Sequence, residues 1–352
     1  MDLSLLQTVL LSTLIVVVLI LPLTVHKVEE NLEAFLFACG AFAVTVSHVW
    51  SGHLVLSALK DPIKITLAVL IAGLLFRQFN VHLQKLTQKA VKAIGLRWTL
   101  FLIVLVLGVT SSLITAIIAA LILAEIAVML PLEKAGRIKL VTFSCYAIGM
   151  GAVLTAVGEP LGTVVISKLA GPPHNAGFFY LIEHLGWFVL GGILFMAGMA
   201  SSLREGTIAH APGAKAADTQ SEHSVKSIFV RAGKVYLFVM ALTFLGDGLK
   251  PLAIKTISHL HAGWLYWINM LSAVLDNATL AAIEVTPVID DRTLTFLLMS
   301  LVISGGMLIP GNIPNIICAS KLGIKSKEWM KAALGLGLVL MIAYFVLLSA
   351  VL

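Results

Sequence analysis

Long apolar runs, parted by short polar breaks, dominate the chain. They cover Leu3–Val25, Phe35–Trp50, Ile63–Leu75, Trp98–Leu130, Ile138–Ala170, Phe178–Ser201, Tyr236–Leu249, Gly263–Asp290, Leu294–Ile317 and Trp329–Leu352. Several have the length of a membrane span, which needs about 20 apolar residues. Others are too long for one crossing and too short for two. Trp98–Leu130 carries Thr110, Ser111, Ser112 and Thr115 near its middle, and Gly263–Asp290 carries Asp276, Asn277 and Thr279. Two short apolar arms joined by a polar tip predict a re-entrant hairpin, with the tip buried in protein rather than lipid. Ile138–Ala170 is interrupted at Gly158-Glu159-Pro160, and Leu294–Ile317 at Gly311-Asn312-Ile313-Pro314-Asn315. Gly and Pro there predict broken helices. Val81–Arg97 is basic and amphipathic and predicts a separate interfacial helix.

Composition narrows the class. Of 352 residues, 59% are hydrophobic and 12% charged, against about 25% charged in soluble domains. The predicted fold is an all-α polytopic protein of the cell (inner) membrane. Cys39, Cys145 and Cys318 are far apart in apolar runs and read as packing residues. The net charge of +6 lies in loops between spans, which the positive-inside rule explains without a nucleic-acid partner. The first run has no basic segment before it, so it reads as a span rather than a leader.

The order of features repeats. Each half has a hairpin, a segment broken at a Gly/Pro motif, a short loop and a closing span. The predicted organisation is an N-terminal scaffold with interfacial helix at 1–97, a first transport-type half at 98–203, a polar cytoplasmic linker at 204–227, and a second half at 228–352. In the second half the hairpin is 263–290 and the broken helix 294–320. If Gln78–Arg97 is cytoplasmic, Glu133–Lys139 returns to that side and Gly171–Gly177 lies outside. Most of the 24 Lys and Arg then share the cytoplasmic face. The two hairpins enter from opposite faces, which makes the halves an inverted repeat.

Five acids fall in or near apolar runs: Glu125, Glu159, Asp247, Asp276 and Glu284. A buried carboxylate binds hard cations and protons alike. Asp276 is the candidate ion and proton carboxylate, helped by Glu159; Asn277, Thr279, Asn312, Ser112 and Thr115 are candidate neutral ligands. Asp276 and Asn277 are the candidate sodium ligands. Gly158, Pro160, Gly311 and Pro314 are the candidate helix-break residues. A capping role competes for Asp276, and kink closure competes for Glu159. Glu125 and Glu284 read as residues that snorkel or pair near the membrane faces. Basic residues are scarce in these segments, with Lys168 and Lys250 near predicted ends.

The motifs SAVLDNATLAA, GEPLGT and GNIPN, set in this architecture, resemble the ion-transporter superfamily. That group includes arsenite carriers, sodium/proton antiporters and sodium-coupled divalent-anion carriers. The chain is most similar to a small cation-transporter branch of it. Asp276-Asn277 resembles the antiporter pattern, while anion-carrying relatives more often have Ser-Asn-Thr at the tip. The chain departs from the family in being short and in carrying Ser112-Leu113 at its first tip. The resemblance implies elevator-type alternating access and a homodimer. The expected activity is sodium (cation)/proton antiport, with sodium as transported or coupling ion and no cofactor. The alternative is a sodium-coupled symporter of dicarboxylate or oxyanion, which the shortage of basic residues in the spans disfavours. Neither HExxH nor GxSxG occurs, so an intramembrane enzyme is not expected. A nucleotide-driven pump is disfavoured because no nucleotide-binding domain is evident.

Overall fold

The computed structural model describes residues 3–25, 27–28, 31–204, 225–257, 262–275 and 277–352. Two expectations fall wholly or largely outside these residues: Asp276, and most of the linker at 204–227. The described residues are helical with no strand. In chain order the helices are α1 (Leu5–Thr24), α2 (Leu32–Val46), α3 (Gly52–Ile114), α4 (Ala116–Met129), α5 (Lys134–Ala152), α6 (Pro160–Lys168) and α7 (Tyr180–Ser201). After them come α8 (Val225–Ile257), α9 (Ala262–Ile268), α10 (Asn277–Glu284), α11 (Asp291–Gly305), α12 (Ile313–Leu322) and α13 (Ser326–Val351). Short 3-10 turns occupy Asn269–Ala273 and Ile309–Gly311.

Five helical stretches are long and apolar enough to cross a membrane: Leu5–Pro22, Leu86–Ile114, Tyr180–Ser201, Ala232–Lys255 and Ser326–Val351. Their outward faces stay apolar. Trp187 on α7 is 84% exposed and Val346 on α13 is 62% exposed. Water-facing surfaces rarely carry such stretches; a lipid-facing surface does. Helices α5 and α11 are different, because nearly every residue of Leu140–Ala152 and Leu294–Gly305 is buried. A helix buried all round is a central helix, and these two cross at the middle of the molecule.

Around that crossing α13 packs on both α5 and α11, and α7 packs on α5. Tyrosines tie the bundle through hydroxyl donors: Tyr146 to Ala333 O at 2.9 Å, Tyr266 to Met341 O at 2.8 Å and Tyr344 to Phe188 O at 2.7 Å. A second group forms on one side, where α8 lies against α2 and the first part of α3. Its α2–α8 contact is close: a Cβ built at Gly248 would stand 2.6 Å from Ala43 Cβ and from Val44 N.

Two expectations are corrected by the chain path. The separate interfacial helix at Val81–Arg97 is instead part of α3, which runs on with one interruption at Gly95 (φ 79°, ψ 161°). The turn falls where glycine alone tolerates that backbone cheaply, so the basic face of the segment marks no helix start. Gly246-Asp247-Gly248 was expected at the end of a span. It lies well inside α8, because its glycines meet neighbours across a tight interface rather than forming a turn.

The α2–α8 contact is testable. Gly248→Leu is expected to cost about 1–3 kcal/mol by overpacking, seen as a lowered melting temperature of the detergent-purified protein. Gly191→Ala on α7, where nothing lies within 4 Å of the added carbon, is expected to leave it unchanged.

Candidate ion site at two helix breaks

In the first half, α3 ends at Ile114 and the chain turns at Thr115, whose φ of 73° is positive for a β-branched residue. Such a conformation is uncommon and strained. The Thr115 hydroxyl accepts the Ile118 N–H at 3.4 Å and so caps α4. Facing this tip, α5 stops at Ala152 and the chain stays non-helical until Pro160 opens α6. Glu159 precedes it in extended backbone (φ −156°, ψ 163°), as the residue before a proline requires. Tip and break are bonded to each other. Ala116 N–H donates to Gly158 O at 2.9 Å. The Thr155 hydroxyl donates to Ser112 O at 2.5 Å and accepts from the Gly158 N–H at 3.2 Å. Ser111 donates from α3 to Ile148 O of α5 at 3.0 Å. A Cβ at Gly158 would collide with the Ala152 carbonyl, so the reversal needs glycine. Ser112, Thr115, Gly158, Glu159 and Pro160 are therefore gathered in one place, although the Ser112 hydroxyl itself turns back to Val109 O at 2.9 Å.

The second half repeats the arrangement with different side chains. Its tip lies between the 3-10 turn at Asn269–Ala273 and α10. Asn277 opens α10 and is 4% exposed. Its Oδ1 accepts from the Ser272 hydroxyl, and its amide lies over Gly305, 2.7 Å from where a Cβ would stand. Here α11 ends at Gly305, and α12 starts after Asn312, again in extended backbone (φ −154°, ψ 148°), with Pro314 in the first turn. The carbonyls freed by the break have donors. Asn315 Nδ2 donates to Gly305 O and Leu308 O, both at 2.9 Å, and Trp329 Nε1 donates to Gly306 O at 3.2 Å. Asn312 reaches the first half, its amide 2.8 Å from where a Cβ at Gly149 of α5 would stand. Thr279 is turned the other way, toward Gly246 of α8.

The halves are packed crosswise. Helix α6 of the first break lies along α10 of the second tip, and α12 of the second break lies along α4 of the first tip. Each contact is closed by a lysine. Lys168, at the end of α6, donates to Ala282 O at 2.5 Å and Val285 O at 3.0 Å. Lys321, at the end of α12, pairs with Glu125 of α4, which is 3% exposed. Sequence reasoning gave neither lysine a role and had Glu125 snorkel or pair near a membrane face; it pairs, with Lys321. The signal was there: Ser167-Lys168 follows Glu159 at the spacing by which Ser320-Lys321 follows Asn312. Asn269, Asn315 and Thr155 were missed as well; nothing in a single apolar run announces which amide or hydroxyl faces a broken backbone.

A cavity of about 230 Å³ opens beside α12, lined among others by Glu33, Lys234, Phe238 and Ser320. Glu33 and Lys234 pair across it at 2.8 Å. A separate, smaller cavity of about 20 Å³, also bordered by Leu32, Ile309 and Ser326, lies against Val274 at the second tip and Leu308-Pro310 at the second break.

Fold and site together define an all-helical membrane protein with two interrupted helices meeting two polar chain reversals. The chain belongs to the family described as protein of unknown function DUF1646, whose model matches residues 8–351. No curated protein matches it.

The Glu125–Lys321 pair gives a stability prediction. Lys321→Met strands a buried carboxylate and is expected to cost about 3–5 kcal/mol, read as a fall in melting temperature. The double variant Lys321→Met/Glu125→Gln is expected to recover most of the loss. Equal losses in the single and double variants would show that the charge pairing is not what the α4–α12 contact depends on.

Proposed function

We propose that the protein is a secondary active transporter exchanging sodium for protons, built as an inverted repeat with two re-entrant hairpins and two broken transmembrane helices. One observation carries the reading: each broken helix resumes at a polar cap, Glu159 or Asn312, and its second half packs on the far arm of the other half's tip. An arrangement exchanged in this way between two halves is what an inverted repeat produces, and it gathers polar groups between short helices at membrane depth.

Charge decides the cargo. Helix N-termini at both tips and both breaks favour anions, whereas the two lysines of the resuming helices, Lys168 and Lys321, lie in their last turns. Both are engaged, Lys168 by two carbonyls and Lys321 by a carboxylate. The acids at the caps are then left to set the sign of the site. Asp276, immediately before buried Asn277, is the proposed carboxylate for which sodium and protons compete, with Asn277 and Asn312 supplying neutral oxygens and Glu159 the second acid. Competition for one carboxylate is sufficient for antiport. The proposed access path from one face passes by the two neighbouring cavities, at Ser320 and at Val274. Alternating access follows if the crossed hairpins and broken helices move together against α1, α2 and α8, with the protein as a homodimer.

The test uses purified protein in liposomes loaded with a pH dye. Under an imposed proton gradient, sodium or lithium is expected to dissipate the gradient, potassium to be less effective, and Asp276→Asn to abolish the response. Absence of any cation response, with sodium-dependent uptake of a labelled dicarboxylate or sulfate, would overturn antiport in favour of anion symport.

A further inference from the structure

Glu284 closes α10 at the end of the arm remote from the tip. Its Oε2 accepts from Asn269 Nδ2 at 3.1 Å. Asn269 is fully buried, and the same Nδ2 donates to the Ser300 hydroxyl of α11 at 3.0 Å. Two oxygens of this trio are left over: Glu284 Oε1 and Asn269 Oδ1 are buried and accept no hydrogen bond. Both are acceptors, so what the cluster lacks is a donor.

The surrounding donors are engaged elsewhere. Ser300 donates to Leu297 O at 2.8 Å. Ser304 donates to Asn269 O at 2.7 Å and Ser300 O at 2.6 Å. Lys168 donates to Ala282 O and Val285 O, the carbonyls on either side of Glu284. Turning the Asn269 amide over would set Oδ1 against the Glu284 carboxyl, acceptor to acceptor, which again calls for a proton between them. An ionised carboxylate with one oxygen dry and without a donor is expensive in an apolar interior. A proton removes the charge and supplies the missing donor at once.

We propose that the Glu284–Asn269–Ser300 cluster is a second cation site, with the proton as its ligand, separate from the carboxylate at the hairpin tip. The charged residues on the elements packed against α10 include Glu159 and Lys168 on α6, Asp247 and Lys250 on α8, and Asp291 and Arg292 at the head of α11. Of these, Lys168 reaches the arm. Loss of the proton leaves a carboxylate competing with its two flanking carbonyls for the Lys168 ammonium, and Lys168 belongs to the helix that starts at Glu159. Charge on Glu284 thereby acts on the α6–α10 contact and on the first break. Its part in transport rests on the function proposed above; the protonation itself does not.

Infrared difference spectroscopy of the full-length protein, between mildly acidic and alkaline buffer, reads it directly. A protonated buried carboxyl gives a C=O stretch that vanishes on ionisation. The expected result is one such band that is lost in Glu284→Gln, shifted in Glu284→Asp and kept in Asp276→Asn. Glutamine is the isostere of the protonated acid and supplies an amide donor, so Glu284→Gln is expected to fold as stably as the parent. Glu284→Asp carries the test if it does not. A spectrum unchanged by both Glu284 substitutions overturns the site. If the band behaves as expected while liposomes show no cation–proton exchange, the antiport reading falls and the proton site stands; the reverse pair of results retains antiport and removes the site.

Discussion

A helix that stops inside apolar surroundings leaves carbonyls at one end and N–H groups at the next, and no water reaches them. The first interruption satisfies that constraint with groups of the facing tip, the second with a side chain of its own resuming half and one from α13. In the first, the Ala116 N–H at the tip fills the Gly158 carbonyl, and Thr155 links the break to Ser112 O. In the second, Asn315 spans two freed carbonyls and Trp329 takes a third. Breaking one of these links exposes a backbone group worth about 1–3 kcal/mol when buried unpaired. In the first half tip and break therefore hold each other in position, whereas the second break is held by its own α12 and by α13.

The halves meet that requirement with different chemistry. The first uses hydroxyls, from Ser111 and Thr155, and accepts strain at Thr115. The second uses carboxamides, from Asn277 and Asn315, with Asn269 beneath them. A hydroxyl rotates to suit its partner, whereas a carboxamide presents fixed oxygens and hydrogens. Fixed oxygens are what a cation site requires, and they lie mainly in the second half.

Much of this was legible because Gly and Pro have few uses in an apolar run. Gly158-Glu159-Pro160 and Gly311 to Pro314 marked both breaks, though both open earlier, after Ala152 and after Gly305. Ser and Thr around Thr115 marked the first tip. What stayed hidden depended on distant partners. Glu125 looks like a residue bound for a membrane face until Lys321 is set against it. Glu284 has the same appearance until Asn269 is seen to hold its half-buried carboxyl, one oxygen of which is fully covered. The path of α3 through its basic stretch was hidden for another reason: that stretch is patterned like a surface helix, and patterning reports the face, not where the backbone pauses, which is at Gly95.

The two lysines bear on how the crossed halves behave together. Each extends from the end of one broken helix to the arm of the other half, so α6–α10 and α12–α4 are each fastened at the end away from the cap. The asymmetry between the two joints then matters. Lys321 faces a full carboxylate and is fixed by charge, whereas Lys168 faces two neutral carbonyls with Glu284 between them. A joint held by dipoles is weaker than one held by a buried charge pair. The α6–α10 contact is thus the one whose strength a change of charge nearby can alter. It is also the contact that carries Glu159 at one end and Asn277 within it, so the adjustable joint and the polar caps of the candidate site share the same pair of helices.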